Sequence, residues 1–476
     1  MHRRDFLKKT AKGAIGSAFL LGLDNAYGIG TEAKRPNILW IIADDICPDI
    51  GCYGNKTVST PNIDSLAEEG ILYENAFTIA PICSPSRSAF MTGMYQTSID
   101  AHNHRSHRDD GYTLPVPVQL LTDHFRRAGY FTSNCSGLDW DKPGKKDLNF
   151  EIWAGDNKPF DGTDWRQHKT GQPFFAQVNF YEPHRPFVRD FENPVNPDKV
   201  QLPPYYPDHP IVRNDWAIYL ECIQVLDRKV GKVLERLEAD GLADNTIVVF
   251  FGDNGRPFPR GKQFLYEGGI HVPLIIKWPD HLEKGKISDE LISAIDIGPT
   301  SLNLAGIQPP DYMQGQPFLG PDSKRRDYVF AARDRCNEAV DRIRAVRTRR
   351  FKYIRNFYPE RPYLQFHGYM VREHPEATLL KVLYEQDKLN KDQRRFLAAV
   401  KPEEELYDLE NDPYELKNLA YEPDFQQKRR QLSKVLEDWI ERSNDQGRIP
   451  ESPEKIAEIK KAKKQKQKIK KERTFS

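Results

Sequence analysis

Cys83-Ser84-Pro85-Ser86-Arg87 places a thiol two residues before a proline suited to the first turn of a helix, with an arginine one turn further in. The spacing puts residue 83 at the positive end of that helix, a place for an anion or an activated nucleophile. For the cysteine taken alone, a buried packing residue before a capped helix is the better reading. Four oxygen donors stand elsewhere in two pairs, Asp44-Asp45 and Asp253-Asn254. They form the hard ligand set that Ca²⁺ or Mg²⁺ takes, although aspartates after a strand also serve as turn residues or helix caps.

Both pairs follow apolar runs. Asn37 to Ala43 reads as a buried central strand ending in Asp44-Asp45. Thr246 to Phe251 is a second such strand, ending in Gly252-Asp253-Asn254-Gly255, and Phe174 to Phe180 is a third, with Glu182-Pro183-His184 at its tip. Strands that deliver polar residues at their carboxyl ends predict a ligand site along that edge of an open α/β sheet. Thr60-Pro61 opens a helix that Gly70 closes, and residues 214–237 carry apolar residues at helical spacing. Cys222 on that helix reads as packing.

From Pro36 to about Gly306, strand-like and helix-like segments alternate, which predicts a large mixed, mostly parallel sheet with helices on both faces. Beyond Pro309 the runs shorten, at 327–331, 344–356 and 406–409. These predict a smaller domain with an antiparallel sheet and a closing helix over 426–442. The expected division is an export signal at 1–28, a catalytic α/β domain at 35–308, a smaller α+β domain at 309–450, and a solvated Lys-rich tail at 451–476. Arg3-Arg4, the mildly apolar residues 14–23 and Ala26-x-Gly28 give the export reading, by the twin-arginine route to the periplasm or outside the cell.

Composition narrows the rest. Seventy basic residues against 69 acidic ones leave no global field to hold nucleic acid. Six cysteines in 476 residues, none in a CxxC pair, exclude a disulfide scaffold. After the first 30 residues no apolar stretch is long enough to span a bilayer.

The full string Cys83 to Gly93 resembles the signature of the type I sulfatases, Cys-x-Pro-Ser-Arg followed by a small and apolar stretch and Thr-Gly. The resemblance runs from about Arg35 to Leu419. It includes Thr60-Pro61-Asn62-Ile63-Asp64, Gly261-Lys262, Glu267-Gly268-Gly269 and Glu405-Leu406-Tyr407-Asp408-Leu409. Within the family, residues 252–259 and Pro183-His184-Arg185 look closest to the heparan N-sulfatase (sulfamidase) branch and its bacterial relatives.

The resemblance implies an alkaline-phosphatase-like fold and oxidation of Cys83 to formylglycine by a maturase. It implies a divalent cation, Ca²⁺ before Mg²⁺, held by Asp44, Asp45, Asp253, Asn254 and the modified residue 83. Arg87 and Lys262 match positions that contact formylglycine or sulfate, with Lys262 standing where the branch commonly has Arg. His184 matches the histidine that reaches the sulfate bridge and could protonate the leaving group. The family usually has Gly-Lys-x-His where this chain has Gly144-Lys145-Lys146-Asp147. Lys145 keeps the sulfate-binding role, with Lys146 as the fallback. Asp147 could act as a carboxylate base or orient Lys145 by pairing.

Other residues are open. His102, His104 and His107 lie in a polar loop that reads as substrate rim or plain surface. Arg333 and Arg335 could recognise a carboxylate or a second sulfate, a surface ion-pair cluster being the somewhat better reading. His271 has no assigned role. The expected activity is hydrolysis of a sulfate ester, or a sulfamate, on a sulfated oligosaccharide or polysaccharide. The rivals are a phosphodiesterase or phosphonate hydrolase of the same superfamily and a non-catalytic glycan-binding relative.

Overall fold

The computed structural model describes residues 35–454, 456–458 and 461. The expected export signal and most of the Lys-rich tail lie outside the described residues. Eight strands make the main sheet: β1 (Asn37–Ala43), β2 (Ile71–Phe77), β3 (Phe131–Ser136), β4 (Asp139–Pro143), β5 (Phe174–Phe180), β6 (Thr246–Gly252), β7 (Leu274–Lys277) and β8 (Lys286–Ser293). Their spatial order is β4-β3-β5-β1-β6-β7-β2-β8. β3, β5, β1 and β6 run parallel to one another, and antiparallel pairing enters at β4 and β7.

β1 shows why its sequence is apolar without a break. Leu39, Ile41 and Ala43 face one hydrophobic core, while Ile38, Trp40 and Ile42 face the other. A strand covered on both sides buries every side chain, and all seven residues of β1 are buried. Trp40 anchors the second core edge-to-face against Phe90, Phe175 and Phe251. The long helix Pro210–Ala239 covers the first core with Val212, Leu220, Ile223, Leu226 and Val230.

The helix at Pro61–Glu68, α1, starts where Thr60-Pro61 predicted. Its capping differs. The Thr60 hydroxyl is hydrogen bonded to Gly51 N and Asp64 Oδ1, and Asp227 of the long helix accepts the N–H groups of Asn62 and Ile63 at 3.3 and 2.8 Å. A carboxylate one helix away thus supplies the cap that the local sequence pattern assigns to Thr60.

The second sheet is antiparallel, with β12 (Glu404–Asp408), β11 (Phe351–Asn356), β10 (Ile343–Arg347) and β9 (Val329–Arg333) in that order, and the closing helix spans Gln426–Arg442. Val329, Ala331, Ile343, Ala345 and Ile354 share a core with Phe77, Phe264 and Leu291 of the first layer. Among the described residues no helix is long and apolar enough to cross a membrane.

Candidate active site

Three adjacent parallel strands, β5, β1 and β6, end side by side, and their carboxyl ends carry His184, Asp44-Asp45 and Asp253-Asn254. Asp45 turns the chain with φ +63°, the left-handed region, and its N–H donates to Asp253 Oδ1 at 3.1 Å. Ile46 N–H donates to the Asn254 carbonyl and Asp253 N–H to the Ala43 carbonyl, at 2.9 and 3.0 Å. The two strand ends are therefore knitted together by backbone as well as by side chain.

Helix α2 (Cys83–Thr92) arrives with its first turn over this edge, and all ten of its residues are buried. Each polar residue of the motif has a structural task. Ser86 Oγ donates to the Asp253 carbonyl at 2.6 Å, and Arg87 Nε donates to Asp253 Oδ2 at 2.8 Å while Nη1 reaches Asn179 Oδ1 at 2.6 Å. Gly93 ends the helix at φ +67°, a conformation in which a side chain is strained and where an added Cβ would also meet Met313. Cys83 Sγ lies 3.5 Å from Asp44 Oδ1 and 3.9 Å from Asp45 Oδ1.

Donor atoms of Asp44, Cys83 and Asp253 all lie within 4.8 Å of one another. Burial, with the Asp44 charge beside it, pushes the Asp253 carboxyl up to about 7. Burial acts on Asp44 the same way, but Lys145, His184, Arg87 and Lys262 outweigh it and hold its carboxyl well below the usual range. Asn254 Nδ2 donates to Asp45 Oδ1 at 2.8 Å, and its Oδ1 is buried with no hydrogen-bond partner among the described residues. An orphaned amide oxygen beside crowded carboxylates fits a divalent cation, which would relieve the repulsion and satisfy the oxygen.

Fixed cations surround the carboxylates. Lys262 Nζ lies 2.7 Å from both oxygens of Asp45. Lys145 Nζ pairs with Asp44 and lies 3.6 Å from Asp147 and 3.9 Å from Asp253. Burial opposes the charge on each ammonium, yet the facing carboxylates prevail and keep both lysines protonated. Lys146, one residue on, is exposed. Arg87 Nη2 is buried without a hydrogen-bond partner among the described residues, a donor available to a bound anion. His184 Nδ1 contacts the Arg185 carbonyl at 2.5 Å, and Nε2 is 3.7 Å from Asp45 Oδ2. Burial, and then the Lys262 charge, lowers its tendency to protonate. The Cys83 thiol is pushed up by burial and by Asp44, so as a thiol it is no ready nucleophile.

Asp147 is drawn into a different set of contacts. Its side chain, 6% exposed, pairs with Arg108 and lies 3.5 Å from Arg105 Nε. Burial is overcome by Lys145, Arg105 and Arg108, and the carboxyl is held far below its ordinary value.

Two expectations need correction. His102 and His104 are buried, so the loop is not plain surface: Arg335 O accepts His104 N–H at 3.0 Å, and Asn149 Nδ2 donates to the Ala101 and Asn103 carbonyls at 2.7 and 2.9 Å. Arg333 and Arg335 are not a surface cluster. Arg333 is buried 3.5 Å from Asp341 with its guanidinium over Phe264 and its Nε without a hydrogen-bond partner among the described residues, and Arg335 is buried against Glu451, so neither guanidinium lies on the surface. His271 stacks on Phe77 and contacts the Glu74 carbonyl at 2.7 Å.

A cleft of about 490 Å³ opens at this site, lined by Asp44, Lys145, Asp147 and His184 together with Arg105, Arg108, Trp153 and Tyr181. Arg105 and Arg108 have no motif of their own in the sequence beyond the histidine-rich run that contains them. Tyr369, whose ring centroid lies 5.9 Å from that of His184, carried no signal at all.

A family model described as Sulfatase matches residues 36–307, and one described as N-sulphoglucosamine sulphohydrolase, C-terminal, matches residues 260–402. An ulvan-active sulfatase of Formosa agariphila is 37% identical, covering 89% of this chain and 78% of its own length. N-sulphoglucosamine sulphohydrolase of Homo sapiens is 28% identical, covering 87% of this chain and 91% of its own. Among solved structures, one in complex with its substrate D-glucosamine-2-N,6-O-disulfate covers 87% of this chain and 99% of its own, at 19% identity and a TM-score of 0.62. A phosphonate monoester hydrolase of Agrobacterium radiobacter covers 86% and 96%, at 19% identity and a TM-score of 0.61. These two likenesses are of fold, which by itself does not separate sulfate from phosphonate chemistry.

Proposed function

The chain belongs to the sulfatase family of sulfuric ester hydrolases, and on that premise we propose that it removes sulfate from a sulfated saccharide at residue 83. The observation that carries this reading is the convergence of Cys83, Asp44 and Asp253 under Arg87, Lys145 and Lys262, within a Cys-x-Pro-Ser-Arg motif. One relative is ulvan-active and another acts on N-sulphoglucosamine, which supports a saccharide carrying a sulfate ester or a sulfamate.

Cys83 is the residue that a maturase would convert to formylglycine, whose hydrated aldehyde supplies the attacking oxygen. Asp44, Asp45, Asp253 and Asn254 are the residues that would hold Ca²⁺, and the ion when bound polarises sulfate oxygens and favours the ionised nucleophile. Lys145, Lys262 and Arg87 Nη2 place fixed positive charge where the transferring sulfate gathers negative charge, in a site that is already desolvated. His184 Nδ1, donating to the Arg185 carbonyl, leaves Nε2, 3.7 Å from Asp45 Oδ2, as the second nitrogen. Nε2 carries a proton only in the imidazolium, which burial and Lys262 oppose and Asp45 and Asp44 favour, and from that charged form it delivers the proton to the departing alcohol or amine. Asp147, kept ionised by three cations, supports charge balance rather than proton delivery.

The export reading rests on Arg3-Arg4 and the apolar residues after them. Subcellular fractionation of the native host tests it, since recovery of the protein in the cytoplasm contradicts it.

The activity is tested on protein co-produced with a formylglycine-generating maturase. Peptide mass spectrometry should find formylglycine at residue 83, and sulfate esters should be cleaved in preference to matched phosphate and phosphonate esters. Active protein carrying only the unmodified thiol would overturn the mechanism. Preference for phosphonate would favour the phosphonate hydrolase rival, and inactivity of the matured protein on every ester would favour the non-catalytic one.

A further inference from the structure

The cleft holds two arginines that the proposed hydrolysis does not use. Arg105 and Arg108 line it with side chains 51% and 32% exposed, and both lean on a single carboxylate, Asp147, through the same oxygen, Oδ1. Arg108 makes a single hydrogen bond to that oxygen and Arg105 comes no nearer than 3.5 Å, and among the described residues no other carboxylate pairs with either. Asp147 also lies 3.6 Å from Lys145. Two guanidiniums against one shared carboxylate leave positive charge in excess, and most of each planar fork is without an acidic partner.

Arg105 and the carboxylate shared by the two arginines are held where they are at some expense in backbone conformation. Arg105 and Asp147 both sit in the left-handed region, at φ +57° and +49°. The Arg105 N–H donates to Ser84 Oγ at 3.0 Å, tying its loop to the residue after Cys83. Asn149 N–H donates to Ser88 Oγ at 2.9 Å while its side chain holds the Ala101 and Asn103 carbonyls, so the two loops and helix α2 form one framework. Strained residues over-determined by their surroundings mark a position that is maintained, which a surface ion pair does not require. Tyr181, 56% exposed, lines the same cleft and offers an aromatic face to a sugar ring.

Resting on the sulfatase reading above, we propose that Arg105 and Arg108 form a second anion subsite, which grips a carboxylate or a further sulfate of the saccharide beside the sulfate being removed. Asp147 holds the two forks in register until the substrate anion meets their open donors. This assigns to residues 105 and 108 the second-anion recognition that Arg333 and Arg335, buried in their own pairs, do not supply.

The test uses the matured enzyme and sulfated disaccharides that contain a hexuronate. Three forms are compared: the parent, the same disaccharide with its carboxylate reduced to an alcohol, and the reduced form bearing an extra sulfate, with an uncharged aryl sulfate as reference. Removal of the carboxylate should lower kcat/KM by about 10- to 100-fold, chiefly through KM, if a carboxylate is the ligand. Recovery by the extra sulfate identifies sulfate as an equivalent or preferred anion. The double variant R105A/R108A should lose the discrimination, and R105K/R108K should recover it in part, because lysine keeps the charge without the fork. Equal kcat/KM on all three saccharides by the unmodified sequence overturns the subsite without any variant having to fold, as does an undiminished ratio in the double variant. Absence of sulfate release from every substrate, the aryl sulfate included, instead overturns the reading on which the subsite rests.

Discussion

Lys145 and Lys146 are neighbours in the chain and opposites in surroundings. Lys145 is turned in among Asp44, Asp147 and Asp253, and Lys146 is exposed at the cleft rim. Lys145→Ala should therefore lower turnover by roughly 10²–10³-fold, the loss expected for one preorganised electrostatic stabiliser. Lys146→Ala should leave it within a few-fold, and Asp147→Asn should fall between the two. Steady-state kinetics on one sulfate ester checks the order, and a larger effect for Lys146 would refute the assignment. The orphaned Asn254 oxygen and the Asp44–Asp253 crowding lead to a test independent of catalysis. Ca²⁺ added to chelator-stripped protein should raise Tm, by an amount corresponding to about 2.7 kcal/mol at a hundredfold excess over Kd. Asp253→Asn should remove most of that shift, and an unchanged shift would place the ion elsewhere.

Among the elements, α1 depends on a residue 165 positions away in sequence. Asp227 accepts from Asn62 N–H, Asn62 Nδ2 and Ile63 N–H, and burial raises its carboxyl above the ordinary range. Asp227→Ala should cost about 1–2 kcal/mol, the range for a lost helix cap, as read from urea unfolding. Thr60→Ser, which keeps the hydroxyl bonded to Gly51 and Asp64, should cost clearly less. The predicted strands over 37–43 and 174–180 match β1 and β5 in full, because residues buried on both faces leave an uninterrupted apolar run. The predicted run 344–356 is instead a hairpin of β10 and β11 turning at 348–350. Thr348-Arg349-Arg350 contains neither glycine nor proline, so the usual markers of a turn are missing.

At the scale of the molecule, the second sheet is held to the first by charge as well as by apolar contact. Lys352, fully buried on β11, lies 2.6 Å from Glu267 and 2.8 Å from Glu415, and Arg347 reaches Glu267 at 3.1 Å. Glu267 belongs to the Glu267-Gly268-Gly269 segment, so this network joins β10 and β11 to the layer that carries Lys262 and Asp253. Lys352→Met should destabilise the fold by about 3–5 kcal/mol, because it strands two buried carboxylates on fewer cations. Thermal or denaturant unfolding gives the measurement, and a loss below about 1 kcal/mol would show that the network is not holding the sheets together.

What can be read along the chain alone is a thiol before Pro85 and Arg87, and oxygen donors after apolar strands. Those features are local, since strand ends, helix starts and motif strings are written in consecutive residues. Tertiary structure alone decided which cations face which carboxylates. That Lys145 meets Asp44, that Asp147 belongs to Arg105 and Arg108, and that Arg333 and Arg335 are consumed inside the fold all follow from packing between distant segments. A charged side chain reads the same in sequence whether its partner is water or a buried carboxylate. Only the folded chain brings the partner within a few ångströms, where desolvation makes the pairing matter.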